Sequence, residues 1–190
     1  MATLVNSSVV DSGDVELQFP GDRFPVTVGP TLRARGWRGG LFVQYVQTTQ
    51  EYTVEVSDGS NVCGFLLFQS ENYTPMTPGG ISTGSPENFI GKQFRAPVGG
   101  NNVATMINGG TRAMFKFFET TALTGGGTRT GGVITYNLNE ALRVSENGLL
   151  CNDSEANLIA AGVVNPTQVG LCSSVPKESN FNRLGIDLKY

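Results

Sequence analysis

The chain has 190 residues, 39% apolar and 9% aromatic, enough for one good-sized core or two small ones, and only 15% charged. Gly, Thr, Asn and Ser are abundant while Ala and the charged helix formers are scarce, which argues against a helical protein. Thirteen basic against sixteen acidic residues give a net charge of −3, which excludes a broad phosphate-neutralising face; the lack of histidine removes triad hydrolases and most metalloenzymes.

Along the chain, short alternating segments recur between turn residues, the mark of strands with one face on a core. In residues 1–40 the spacing predicts strands at Leu4–Val10, Val15–Phe19 and Val26–Val28. Pro20, Pro25 and Pro30 punctuate this stretch, and Arg33, Arg35 and Arg38 gather before Gly39-Gly40. Proline favours extended chain that cannot serve as a central strand, so the segment reads as an extended N-terminal arm or an edge ribbon. Leu41–Val46 is a denser apolar run of the kind covered on both faces. Glu51–Val56 alternates cleanly, Asp58-Gly59 signals a turn, and Gly64–Gln69 is the expected hairpin partner.

Residues 70–102 carry Pro75, Pro78, Pro86 and Pro97 among glycines, a long loop of the functional or disordered kind. Ala113–Phe118 is a second dense apolar run, and Gly125–Gly132 reads as a flexible hinge. Strands are expected at Val133–Tyr136, Leu142–Val144, Val169–Val175 and Arg183–Tyr190, and a helical turn or two at Ser154–Ala161. The expected fold is all-β: an antiparallel β sandwich or small β barrel with an extended arm and a long Pro/Gly-rich loop. Three parts are expected: residues 1–40, a β domain over 41–124, and a compact barrel-like unit over 133–190.

The motifs that invite chemistry each lack a partner. Gly80-Ile81-Ser82-Thr83-Gly84 matches a nucleophile elbow, but no histidine activates Ser82 and no strand precedes it. Asp11-Ser12-Gly13 matches the core of aspartic proteases in a single copy, followed by Asp14, and an ordinary turn explains the same letters. The 125–132 glycine run lacks the lysine and hydroxyl of a phosphate loop, and Gly91-Lys92 is followed by Gln93. Asn152–Glu155 and Asp11–Glu16 offer oxygen ligands without calcium-loop spacing. Asn6, Asn72 and Asn152 open formal glycosylation sequons. Cys63, Cys151 and Cys172 are an odd number without a C-x-x-C pair and read as reduced, small apolar residues. Trp37, Tyr45, Tyr52 and Tyr73 fit core or interface packing better than a sugar-stacking platform. The expectation is therefore no catalysis, no cofactor and no metal. With no basic leader and no run of 18 apolar residues, synthesis in a host cytoplasm without membrane insertion is expected.

Three stretches near the C-terminus, Leu142–Leu150 with its Asn147-Gly148 turn, Gln168–Val175 with Val169-Gly170, and the final Arg183–Tyr190, resemble the head decoration, or cement, proteins of tailed bacteriophages. The resemblance covers about a third of the chain, and its motifs are structural. It implies a virion protein on the capsid surface that bridges capsomers and reinforces the shell, with the major capsid protein as partner. A homo-oligomer, dimer or trimer, is expected, with neither nucleic acid nor membrane as partner. The alternative is a tail-associated or receptor-binding β module that binds host glycan. Phe19, Phe24, Arg33, Arg35, Trp37, Phe89 and Phe94 lie on the extended Pro-rich segments and are the candidate interface residues, since aromatics on unpaired backbone suit contact with a neighbour.

Overall fold

A computed structural model describes residues 10–11, 15–18, 22–35, 37, 39–47, 52–67 and 103–189. In chain order the strands are β1 (Val10–Asp11), β2 (Val15–Leu17), β3 (Asp22–Thr27), β4 (Phe42–Gln47), β5 (Tyr52–Val56), β6 (Val62–Leu66), β7 (Val103–Asn108), β8 (Arg112–Phe115), β9 (Ala141–Val144), β10 (Leu150–Cys151), β11 (Gln168–Ser174) and β12 (Leu184–Leu188). Two short helices join them, α1 (Pro30–Arg35) and α2 (Glu155–Ala160). A seven-stranded sheet runs β1-β2-β8-β12-β11-β9-β10, and a five-stranded sheet runs β3-β7-β6-β4-β5. All pairings within the two sheets are antiparallel, and the fold is an all-β sandwich.

The two-residue period of a strand decides which side chains meet. Val15 and Leu17 of β2, Ala113 and Phe115 of β8, Leu184 and Ile186 of β12 and Leu142 and Val144 of β9 face Phe42, Phe65 and Ile107 across the sandwich. At its centre the rings of Phe42, Phe65 and Phe115 lie 4.9 to 5.7 Å apart, the range in which aromatic pairs attract. The alternate positions of the five-stranded sheet, Val26, Val43, Val54, Leu66 and Met106, form a second core on its other side. That second core is possible because the sheet curls. Val28, just past the end of β3, bridges Val54 of β5 in parallel, so the sheet's two edge strands meet and it closes into a small barrel. The sandwich and the barrel are therefore both present, the five-stranded sheet serving in both.

Several expectations change. The described part of residues 1–40 is not a free arm: β1 and β2 form a ribbon at the edge of the seven-stranded sheet, and Val15 and Leu17 are fully buried. Glu16 holds it further by an ion pair to Arg183 at 2.9 Å. One core draws on β2, β4, β6, β8, β9 and β12, strands from each of the three expected parts. β6 is not the hairpin partner of β5. The turn after Val56 carries the chain past β4, which pairs with both. Val133–Tyr136 makes only one bridge, Val133 to Thr121, while the Tyr136 ring packs edge-on against Phe118. α1 was hidden by Pro30, which suits a first helical position because it has no N–H to leave unpaired. β7 was hidden by its place beside the Pro/Gly-rich stretch. α2 lies where expected, with the Ser154 hydroxyl accepting from Asn157 N at its N-cap.

Candidate functional site

The two ends of the small barrel differ. The end at which β3 finishes is plugged by α1, whose Leu32 is fully buried with Val28 and Leu41, while Trp37 packs partly buried against the same cluster. Glu55 of β5 fastens the helix from outside: its two carboxylate oxygens accept from Thr31 N at 2.9 Å and Leu32 N at 2.7 Å. Those N–H groups have no partner within the helix, so a carboxylate from a neighbouring strand takes the role of a cap. Gly29 leaves room for it, since a Cβ there would overlap the Glu55 carboxyl.

The outermost described side chains at the opposite end are exposed, and it is called the open end for this reason. β4 and β5 are antiparallel, so Tyr45, two residues after Val43, and Tyr52, two residues before Val54, step out of the barrel interior in the same direction. Through β6 and β7 the register carries that direction to β3, where Phe24 lies two residues before Val26. Tyr45 and Tyr52 are diagonal neighbours on one face, about 7 to 8 Å between backbones. Phe24, Tyr45 and Tyr52 are 42%, 52% and 63% exposed, although each continues a row of buried side chains. Beneath them the Cys63 thiol points to Val43 O at 3.2 Å and to the Met106 sulfur at 3.6 Å. Asp22 continues the Phe24 face by one more step, is exposed, and takes part in no ion pair among the described residues.

A second cluster is buried and fully satisfied. Arg129, from the glycine-rich stretch, donates through Nε and Nη2 to Glu146 at 2.7 and 3.0 Å, and through Nη1 to Asp153 at 3.0 Å and Thr121 O at 2.7 Å. Glu119 lies 3.3 Å from its Nε and also accepts from Ser145 and Asn147. Burial alone would lower the Arg129 pKa, but the Glu146 hydrogen bond and the three carboxylates outweigh it and hold the guanidinium above its ordinary value. Tyr136 donates to Glu119 O at 2.6 Å, and burial pushes its hydroxyl well above the ordinary range. Residues 125–132, expected as a hinge, are thus tied at their centre, with Gly131 N and Thr124 N bonding back across the loop. The guanidinium occupies the place between the carboxylates, and among the described residues no group of three His, Cys, Asp or Glu can hold a metal ion.

Of the candidate interface residues, Phe24 is exposed on the open rim, whereas Trp37 belongs to the plugged end. Arg33 and Arg35 fall on α1. Phe19, Phe89 and Phe94 lie outside the described residues, as do Ser82 and Tyr73. The structure brings together Tyr45 and Tyr52 of the aromatic set and separates Trp37 from them. Asp11 sits on β1 opposite Glu16 in a plain strand pairing. Burial raises all three thiols, Cys63 to about 11 and Cys151 to about 12, which removes thiolate reactivity near neutral pH. No helix among the described residues is long and apolar enough to cross a membrane.

No family model, curated protein or solved structure matches the chain.

Proposed function

We propose that the chain is a structural virion protein, a decoration or cement protein that binds the outside of a phage capsid and stabilises it by bridging capsomers. The observation that carries this reading is the contrast between buried polar groups and exposed rings. Arg129, Glu119, Asp153 and Arg183 are engaged in ion pairs that hold the fold. Exposed aromatic side chains instead collect at one end of the barrel, the kind of rigid, low-entropy surface that protein contacts use. Such a protein works through shape and contact area, with the major capsid protein as partner. Purified chain added to capsids that lack it should co-sediment with the shells and raise their resistance to heat. Failure to bind capsids, or location on the tail in particle images, overturns the reading. The adjacent Tyr45 and Tyr52 rings are the one feature that favours a glycan-binding tail module, because two neighbouring aromatic faces can stack a sugar ring.

A further inference from the structure

We infer that the open end of the five-stranded barrel receives a cationic side chain, lysine or arginine, of the protein to which the chain docks. The inference rests on the decoration reading for the identity of that protein. The rim supplies three exposed aromatic residues, Phe24, Tyr45 and Tyr52, on one continuous barrel face. Ring faces carry negative potential and attract ammonium and guanidinium groups, more so where water is partly excluded. Asp22 adds a carboxylate one step beyond Phe24 on the same strand face, with no cation paired to it among the described residues. Met106 is buried behind the rings with the partly buried Cys63 beside it, so the ring faces themselves are the apolar surface against which the methylene stem of a long side chain can lie. The whole chain carries a net charge of −3, which adds a weaker attraction of the same sign. An anionic partner group would meet Asp22 and the negative ring faces, and a purely apolar one would leave Asp22 unused.

Two measurements separate this inference from the reading it rests on. In capsid binding, Tyr52→Phe keeps the ring face and should bind as the parent does, whereas Tyr52→Leu should weaken binding about fivefold. Asp22→Asn should act in the same direction, Asp22→Lys should cost more than tenfold, and both should flatten the salt dependence. All variants are first checked for an unchanged melting temperature. If the parent binds capsids while Tyr52→Leu and Asp22→Lys bind equally well, the inference fails and the decoration reading stands. If the parent does not bind capsids, the reading fails, and the rim is tested by following the ring signals of Phe24, Tyr45 and Tyr52 by NMR. The probes are N-acetyl-lysine amide, N-acetyl-norleucine amide and N-acetylglucosamine. A saturable shift with the lysine probe, reduced in Asp22→Asn, supports the cation site. An equal shift with norleucine, a larger one with the sugar, or none at all overturns it.

Discussion

The two ends of the small barrel are built from the same strands, and among the described residues only one of them is covered by a helix. At the α1 end, Leu32 is fully buried, Trp37 packs against the same cluster and a carboxylate takes the helix N–H groups. At the other end, the rows of interior side chains continue outward into Phe24, Tyr45 and Tyr52, which are exposed, and no helix of the described residues is packed on them. A barrel needs its interior filled to be stable, but it does not need both ends covered by its own chain. On the proposed reading, stability and contact are divided between the ends, and each assignment can be broken separately.

The largest effect is expected at the plugged end. Leu32→Ala removes a side chain with no exposed surface and should cost about 2–5 kcal/mol, read as a lower denaturant midpoint. A loss below about 1 kcal/mol would mean that α1 is dispensable and the two ends are alike. Glu55→Gln keeps the shape but replaces a charged acceptor on two helix N–H groups, and should cost on the order of 1 kcal/mol. Gly29→Ala should weaken the same contact, because its Cβ would displace the Glu55 carboxyl. If Glu55→Gln melts like the parent, the strand-borne cap is not a stabilising device.

A pH titration sharpens the comparison from beneath the open end. The Cys63 thiol is raised from an ordinary value of 9.0 to about 11, chiefly by burial. A folded value above the unfolded one means that its contribution is present in full below pH 9 and is lost as pH rises toward 11. Stability should therefore decline over that range, and Cys63→Ala should shallow the decline. The thiol should also resist alkylation at neutral pH in the folded protein, while denaturation without reductant should expose three reactive thiols. Rapid labelling of Cys63 in the native protein would show that the floor of the open end is looser than its hydrogen bond to Val43 implies. The smallest effect is expected at the rim itself: Tyr52→Ala should leave stability within about 0.5 kcal/mol, since most of that side chain is already in water. A cost of 2 kcal/mol or more would make the ring part of the fold and remove it as a contact residue.

Much of the sheet architecture was legible in the sequence, and the reasons lie in particular residues. Leu184, Ile186 and Leu188 alternate with Gly185 and Asp187, and such a period admits only a strand with one buried face. The helical turn expected at Ser154–Ala161 is α2. The pairing of strands was less legible, because a turn such as Asp58-Gly59 says that the chain reverses but not which strand it will join. β4 lies between β5 and β6 because its Phe42 and Val43 serve both cores at once, a requirement that appears only when the sheets are assembled. Arg129 could not be read as a staple from its glycine-rich neighbours, since Glu119, Glu146 and Asp153 come to it from ten or more residues away. The open rim depends on register across five strands, so Tyr45 and Tyr52 were visible as aromatics but not as a shared face, and Trp37 belonged elsewhere.

The most direct test of the account is an image reconstruction of capsids decorated with the purified chain. The account predicts density for the chain on the outside of the head, with Phe24, Tyr45 and Tyr52 turned toward the capsid protein and the α1 end turned away from it. Decorated particles in which those three rings face solvent while the α1 end is buried would contradict it, as would density on the tail alone.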